Sequence, residues 1–585
     1  MTEQIKRKVV FSLTEIILIT WLIVVSSSLI LALLGLFYPF LVGLTGALTA
    51  AIFWWLHHQQ KINIKPLLKT EIILIGLITS WGIFLATYVT PTIYGGRDEG
   101  SLSTAAFLIN QSHGLTFSAP LFNDFGKIYG EGKALNFPGF FYQEKNEKFV
   151  LKSQFLPGYP VYLANFARPH YFFLIKFSNV LPLLIFALSF YLVVKQLIPS
   201  TKFAALALLV LLTSVPLNIL FKSTLSEIFF AALLWPALYF LIKYFSSKKD
   251  YYLFLTFLAL FPAFFTRVET LGIFAALILI LIAYRHRLFS QAGFQKILLT
   301  ALALLALDIV LFNNFFVQTG KAFVESLLKI GSGSSVTGSF SSGQKIVYIF
   351  QIFYLYNLLP LFFFALAAIF KSIVKRKNKL LLPLFFLGIT AIYLVMPNIS
   401  LDHPWLLRRF VFSVIPLMIL YTVIFVYYYL RPTRWRQIIL IILIATNLLM
   451  SAPFIIFSPY QQLERQTAAL ASFLPENSLL LVSQQSSGSG WTLLSEPLRT
   501  VFHQSAVYFF NPNDYAKIDQ NKYRHIYLLT SQPEMSLFRP LLTSNRGIIV
   551  KEIDFQYSLL RPSNDPRQLP PLDQQQIKSV LIQLK

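Results

Sequence analysis

Apolar stretches recur along most of the first 457 residues of this chain, and many are long enough to cross a lipid bilayer. A transmembrane helix needs about 20 consecutive apolar residues, and the bilayer admits helices because their backbone polar groups are satisfied internally. Charged residues make up 13% of the chain, against roughly a quarter in soluble domains. The sequence therefore predicts a polytopic α-helical membrane protein.

Thirteen membrane spans are predicted. The first apolar stretch, residues 9–56, breaks near Gly35 and Pro39 and is interpreted as a hairpin of two spans. The other spans are placed at residues 71–90, 169–194, 203–220, 228–244, 251–266, 271–284, 298–317, 346–370, 380–396, 410–430 and 438–457. The spans 251–266 and 271–284 are short, which favours a pair that lines a polar cavity or thins the membrane locally.

Basic residues occupy every second connection between these spans. They are Lys61, Lys65, Lys69, Lys195, Lys202, Lys248, Lys249, Arg285, Arg287, Lys371, Lys375, Arg376, Lys377, Lys379, Arg431, Arg434 and Arg436. Cytoplasmic loops of membrane proteins are enriched in Lys and Arg. The pattern predicts an integral protein of the plasma (inner) membrane with a cytoplasmic N-terminus and an extracytoplasmic C-terminus.

The C-terminal segment, residues 458–585, has a different character. Short strand-like runs at residues 478–482, 525–530 and 547–555 alternate with polar stretches, which indicates a small extracytoplasmic α/β domain. From residue 457 onwards, twelve basic and ten acidic residues leave +2 of the total charge of +24. The excess is dispersed through loops of the membrane part and forms no basic face, so nucleic acid is not an expected partner.

Most of the uncommon polar residues lie in the predicted external connections. The pair Asp98 and Glu99 opens a long polar loop, residues 91–168, directly after a span. The candidates for chemistry are Arg97, Asp98, Glu99, Lys222, Glu227, Arg267, Glu269, Asp402, His403, Arg408 and Arg409. A carboxylate near a membrane-level cavity can act as a general base, and arginines can hold a phosphate through two parallel hydrogen bonds.

This layout resembles the C-type membrane glycosyltransferases (GT-C), nearest to the protein O-mannosyltransferase and lipid A aminoarabinose transferase-like group. The resemblance rests on the acidic motif at residues 97–100, on Ser226 and Glu227 in a second external loop, and on an external C-terminal domain. It implies a GT-C-like catalytic core at residues 71–457, preceded by an extra N-terminal hairpin and its cytoplasmic connection at residues 1–70. The implied reaction moves a sugar from a polyprenyl-phosphate donor to a lipid, glycan or protein acceptor.

The resemblance also assigns roles to residues. Asp98 corresponds to the catalytic base with Glu99 beside it, and Glu227 corresponds to the acid that orients acceptor or sugar. Four cations are expected to bind the donor phosphate, Arg267 because of the resemblance and the others because of their chemistry. Three further residues are expected in the same cavity. The cations are Arg267, Arg408, Arg409 and Lys222, and the further residues are Arg97, Glu269 and His403. The external acids could hold a divalent metal, although no ligand spacing requires one.

Several alternatives stay open at this stage. A polysaccharide polymerase or ligase acting on lipid-linked glycans would share the same layout. A secondary transporter would need buried charges near the midplane, for which Asp308 is the candidate. Arg408 and Arg409 could instead extend to phospholipid head groups, Glu227 could cap its helix, and His403 is typical of an exposed loop residue.

Overall fold

The computed structural model describes residues 9–94, 97–285, 303, 342–394, 401–487, 493–544 and 547–584. The helices in these ranges are α1 (Leu13–Leu33), α2 (Pro39–His58), α3 (Lys69–Thr87), α4 (Arg97–Ser112), α5 (Pro120–Tyr129), α6 (Gly158–Ala164), α7 (Val180–Leu197), α8 (Thr201–Thr213), α9 (Val215–Phe221), α10 (Ser226–Ser247), α11 (Asp250–Phe264), α12 (Glu269–Ala283), α13 (Ser342–Leu355), α14 (Leu359–Val374), α15 (Asn378–Leu387), α16 (Arg408–Val411), α17 (Val414–Tyr428), α18 (Trp435–Ile456), α19 (Leu463–Phe473), α20 (Ser495–Thr500) and α21 (Met535–Ser544).

The strands are short in the first half of the chain and longer at its end. They are β1 (Val9–Ser12), β2 (Ile62–Lys65), β3 (Thr116–Phe117), β4 (Gly132–Lys133), β5 (Phe140–Lys145), β6 (Lys148–Ser153), β7 (Ser478–Val482), β8 (Ser505–Tyr508), β9 (His525–Ser531), β10 (Ile548–Leu560) and β11 (Leu572–Leu584).

Six helices in the described ranges are long and apolar enough to cross a membrane, or nine if each of three bent pairs counts as one span. The predicted hairpin at residues 9–56 is present as α1 and α2. Apart from residue 303, residues 298–317, with Asp308, lie outside the described residues, as does most of the loop at residues 318–345. The prediction of thirteen spans therefore stays a prediction.

Three predicted spans are not straight helices, among them residues 410–430, where residues 405–411 and α17 meet at an angle of 56°. Residues 203–220 form α8 and α9, which meet at an angle of 58°, and Pro216 lies in the first turn of the second helix. Residues 346–370 divide between α13 and α14 at an angle of 113°, where Asn357 adopts a positive φ of 56°. Proline lacks an amide donor and a left-handed residue ends a helix, so the breaks at Pro216 and Asn357 have a local cause.

The helix α10 lies at the centre of the bundle. It packs against α7 and α11, and nearly all of its side chains are buried. Trp235 in its middle is fully buried and donates from Nε1 to the carbonyl of Phe412 at 3.0 Å. By contrast, α2 leaves Phe40 and Trp54 each 68% exposed. A helix that is apolar on all sides belongs in the interior, whereas outward apolar side chains suit contact with lipid.

Several of the basic connections meet at one end of the bundle. Lys202 bonds Gln437 at 2.7 Å, and the ammonium of Lys377 lies 4.5 Å from the ring centroid of Tyr428. At the same end of α10, Lys243 forms an ion pair with Glu15 at 3.4 Å. Glu227 lies in the first turn of α10, at the opposite end from Lys243. The two residues are about 24 Å apart along the helix at 1.5 Å per residue. Basic connections and the predicted site therefore lie at opposite ends of the central helix.

The polar loop and the C-terminal part pack together at the end that carries Glu227. The loop contains α4, α5, α6 and an antiparallel sheet in the order β3-β6-β5-β4, and the C-terminal part has a mixed sheet in the order β10-β11-β9-β7-β8. Asn136 of the loop donates to the carbonyl of Tyr508 at 2.8 Å, and Lys522 bonds Asp124 at 2.6 Å. Strands lie at the three positions that the sequence predicts, while β8 and β11 were not predicted.

Candidate active site

Three carboxylates of the candidate site begin helices. Asp98 lies in the first turn of α4, Glu227 in the first turn of α10, and Glu269 in the first turn of α12. The N-terminus of a helix carries a partial positive charge that stabilises an acid there. This local preference explains how three acids from distant parts of the sequence can be held at one end of the bundle.

Arg267 joins two of these acids. Its guanidinium donates from Nη1 to Glu227 Oε1 at 2.8 Å and to Ser226 Oγ at 3.0 Å, and it donates to both oxygens of Glu269 at 2.8 and 3.3 Å. The side chain is 7% exposed, and its Cζ lies 5.0 Å from the ring centroid of Phe412. Arginine suits this position because its planar fork can bond two carboxylates at once.

Two further arginines complete the cluster. Arg409 donates to Glu269 Oε1 at 2.7 Å, and Arg408 donates to Asp98 Oδ2 at 2.7 Å. The Nε atom of Arg408 also lies 3.8 Å from Glu227 Oε1. The resulting chain of contacts alternates acids and arginines: Asp98, Arg408, Glu227, Arg267, Glu269 and Arg409. Three formal negative charges meet three positive ones, so the cluster is neutral without a ligand.

A cleft of about 220 Å³ runs over this cluster. Three polar atoms of the cluster are buried and have no hydrogen-bond partner among the described residues, namely Glu227 Oε2, Arg408 Nε and Arg409 Nε. Buried polar atoms are nearly always paired in folded proteins, and each exception calls for an explanation. One unpaired acceptor and two unpaired donors therefore lie together beside this cleft.

Comparisons with known proteins bear on the fold. Neither a protein-family profile nor a curated protein sequence matches the chain. The crystal structure of ArnT from Cupriavidus metallidurans in the apo state superposes with a TM-score of 0.50 at 11% identity, covering 87% of this chain and 96% of that one. ArnT is a lipid A aminoarabinose transferase and a GT-C enzyme. This chain therefore shares the fold of that ArnT structure.

Two other solved structures are similar to a lesser degree. ArnT from Cupriavidus metallidurans bound to undecaprenyl phosphate has a TM-score of 0.49 at 12% identity, over 88% of this chain and 97% of that one. An oligosaccharyltransferase from Archaeoglobus fulgidus, in complex with Zn and sulfate, has a TM-score of 0.44 at 12% identity, over 78% of this chain and 67% of that one.

Glu99 does not share the cleft with Asp98, although the two are neighbours in the sequence. It is 9% exposed and lines a separate pocket of about 40 Å³ with Lys222, Trp405 and Tyr460. Burial raises the pKa of Glu99 to about 7, and its Oε1 has no hydrogen-bond partner in the described part of the chain. Successive residues of a helix point about 100° apart, which is why the acidic pair divides between two cavities.

Lys222 also lies away from the cleft. Its ammonium donates to the carbonyls of Phe454, Ile455 and Phe457 at 2.8, 2.6 and 2.5 Å. These carbonyls belong to the end of α18, where a cation satisfies unpaired acceptors and the helix dipole. Burial lowers the pKa of Lys222 to about 7. The contacts hold this lysine at a helix end, on a different surface from the arginine cluster.

His403 is not the exposed loop residue that its sequence context suggests. It is fully buried, with Nδ1 3.0 Å from the hydroxyl of Tyr356 and Nε2 2.8 Å from the carbonyl of Asp565. Its backbone amide donates to the carbonyl of Ser563. Residues between β10 and β11 cover it, which the sequence around position 403 could not show. The predicted cavity residue Arg97 begins α4, but its side chain is not among those that the structure describes.

Tyr393 is a residue of the site that the sequence analysis missed. Its hydroxyl donates to Glu269 Oε1 at 2.9 Å, and its ring lies 5.5 Å from the Cζ of Arg409. It occurs in an apolar span where a tyrosine gives no signal of its own. Within the described ranges, no group of three His, Asp or Glu side chains is arranged to hold a metal ion.

We expect Glu99→Gln to change how stability depends on pH. The folded-state pKa of about 7 exceeds the ordinary 4.5, so the folded protein keeps a proton that the unfolded chain loses between these values. Protonated Glu99 therefore stabilises the fold fully below pH 4.5. As the pH rises through 7, the free energy of unfolding falls by about 3 kcal/mol. Thermal unfolding in nanodiscs at pH 5 and pH 7.5 should show a smaller decrease in the variant. An equal decrease in both proteins would contradict it.

Proposed function

We propose that this chain is a membrane glycosyltransferase that moves a sugar from a polyprenyl-phosphate donor to an acceptor on the extracytoplasmic face. The observation that carries the proposal is the cleft in which Asp98 meets arginines with unpaired donor atoms. Phosphate chemistry needs such donors, and transfer to a hydroxyl or amine needs a carboxylate within reach. The GT-C fold agrees with this chemistry.

Arg408 and Arg409 are the proposed ligands of the donor phosphate. Their side chains are 18% and 23% exposed, so they can meet a ligand in the cleft. Arg267 is 7% exposed, and its three guanidinium nitrogens already donate to Ser226, Glu227 and Glu269. We therefore assign Arg267 a positioning role, in which it keeps the two acids in place beside the phosphate site.

Asp98 is the proposed general base because its side chain, 37% exposed, is the most accessible acid of the cluster. The acceptor oxygen or nitrogen attacks the anomeric carbon while the bond from that carbon to the phosphate oxygen breaks. The acceptor proton passes to Asp98, and the electron pair stays on the leaving phosphate beside Arg408 and Arg409. A donor phosphate would compete with Asp98 for Arg408, which frees Asp98 Oδ2 to accept the acceptor proton.

The polyprenyl chain needs an apolar route from lipid to the phosphate site. A small cavity of about 40 Å³ adjoins the cluster at Glu269 and Tyr393, with apolar walls from the start of α12 and from residues 389–392. Ile389 on this wall is 42% exposed. We propose that the isoprenoid enters past this wall, so that its phosphate reaches the arginines while its tail stays in lipid.

The site is proposed to face the extracytoplasmic side. Glu227 and Lys243 stand at opposite ends of α10, and the basic connections meet at the end that carries Lys243. Because basic loops are retained in the cytoplasm, the end with Glu227 would be external. A polymerase or ligase would use the same cleft with a longer acceptor, whereas the transporter alternative depends on Asp308, which lies outside the described residues.

The donor site can be tested with a paired substitution. We expect Arg408→Gln together with Arg409→Gln to weaken binding of undecaprenyl phosphate at least tenfold, because a hydrogen bond from a charged group contributes about 1.5–3 kcal/mol. Binding would be measured on the full chain in nanodiscs, followed by transfer from undecaprenyl-phosphate-linked sugars.

The matched control replaces two arginines at the opposite end of the bundle. Arg431 and Arg434 are both exposed and belong to the connection before α18. Arg431→Gln with Arg434→Gln removes the same charge and should leave binding unchanged. Equal losses in the two double variants would indicate a general charge effect, and no loss in either would contradict the assignment of Arg408 and Arg409.

A further inference from the structure

A second, larger cavity adjoins the catalytic cleft. It has a volume of about 460 Å³ and lies between the end of α4, the sheet of the external loop and the start of α6. Gln154, Phe155 and Leu156 line both this cavity and the cleft that contains Asp98. A ligand held in the larger cavity can therefore extend along this shared wall to the proposed base.

The lining of the cavity combines aromatic rings with polar side chains that are free to bind. Phe141 is 38% exposed, and Phe155 is partly buried on the shared wall. Gln143, Lys152 and Gln154 are exposed at the cavity. Among the residues that the structure describes, the side chains of these three form no hydrogen bond or ion pair, so amide and ammonium groups are available next to the rings.

We propose that this cavity binds the carbohydrate part of the acceptor, an inference that rests on the proposed transferase function. Sugars present hydroxyls that both donate and accept, which amide side chains match, and apolar ring faces that pack on aromatic rings. A volume of several hundred Å³ is typical of small-molecule sites and accommodates more than one sugar unit.

Two other acceptor classes fit the cavity less well. A lipid tail would require an apolar opening to the bilayer, whereas this cavity belongs to the polar loop outside the candidate spans. A peptide that adds a strand would require a free sheet edge. The cavity takes most of its strand residues from β5 and β6, and both are paired on both sides within the order β3-β6-β5-β4.

Photo-cross-linking tests the occupant directly. Phe141 would be replaced by the photoreactive analogue p-benzoylphenylalanine in the full chain within its host membranes, and the adduct would be analysed for carbohydrate by mass spectrometry. The matched control carries the same analogue at Phe473 of α19, which is 39% exposed and lies outside the cavity. We expect a carbohydrate adduct at position 141 and none at position 473. A lipid or peptide adduct, equal labelling at both positions, or no adduct at either would overturn the proposal.

A second variant separates this proposal from the proposed function. Phe141→Ala should raise the KM for the cross-linked glycan, supplied as a purified acceptor, by about tenfold, because one aromatic contact is lost. Binding of undecaprenyl phosphate should not change. An unchanged acceptor KM with normal donor binding would overturn the acceptor site alone. Failure of the unmodified chain to bind undecaprenyl phosphate would instead contradict the transferase function.

Discussion

Replacing Asp98 with asparagine is expected to lower kcat by a factor of about 10² to 10⁴, which is the usual contribution of a general base. The substitution keeps the size of the side chain and its ability to hydrogen-bond, but it removes the proton acceptor. Asp98 is 37% exposed and begins a helix, so the variant should fold. Turnover of a polyprenyl-phosphate-linked sugar by the purified variant gives the measurement.

Donor binding distinguishes a catalytic role from a structural one. In the unliganded protein, Arg408 is engaged by Asp98 at 2.7 Å, and Asp98→Asn releases this arginine from its ion pair. The variant should therefore bind undecaprenyl phosphate at least as tightly as the unmodified protein while it fails to transfer. A parallel loss of binding and turnover would point to a damaged site, and near-normal turnover would remove Asp98 as the base.

Asp124 provides a matched control in the same external loop. It lies in α5 and forms an ion pair with Lys522 at 2.6 Å, away from the cleft. Asp124→Asn removes an acid of the same type and a salt bridge whose lysine is 47% exposed, so little stability depends on it. We expect normal turnover in this variant. A comparable loss of turnover would mean that removing a negative charge anywhere in the loop lowers activity.

The parts of the fold that the sequence predicted are those with a local cause. The hairpin of α1 and α2 follows from an apolar run with Gly35 at its break, where φ is 72°. The sharp bend between α13 and α14 was missed because hydropathy is continuous across it. The strand β11 was also missed, since its first half reads Leu572-Asp573-Gln574-Gln575-Gln576 and only pairing with β10 explains it.

The candidate site divides in the same way. The sequence identified the acids and arginines by their charge near predicted span ends, and the structure brings six of them into one cluster. The sequence could not separate Lys222 or Glu99 from that cluster. Lys222 bonds to the end of α18, and Glu99 lies in a pocket with Tyr460, and both neighbours are far away in the sequence. His403 was misread for the same reason: its burial depends on a segment 160 residues further along the chain. Contacts between distant segments leave no local pattern.

Loss of Arg267 is expected to have the largest effect on stability. The side chains of Glu227 and Glu269 are 3% and 5% exposed, and Arg267 is bonded to both. Removing one partner of a buried ion pair typically costs about 3–5 kcal/mol, because the remaining charge is buried without compensation. Arg267→Gln should therefore lower the midpoint of thermal unfolding by several degrees in nanodiscs. Arg561→Gln, which breaks an exposed pair with Asp573, should change it little.

A combined variant tests whether uncompensated charge is the cause. Arg267→Gln with Glu227→Gln removes both members of one ion pair, so no carboxylate at position 227 is left without a counter-charge. Arg409 still neutralises Glu269 at 2.7 Å. This double variant should recover part of the stability that Arg267→Gln loses, yet it should remain inactive because Glu227 is gone from the cleft. If the double variant is less stable than Arg267→Gln by the full effect of Glu227→Gln, the two residues act independently. The cluster would then be held by packing around Phe412 and not by charge.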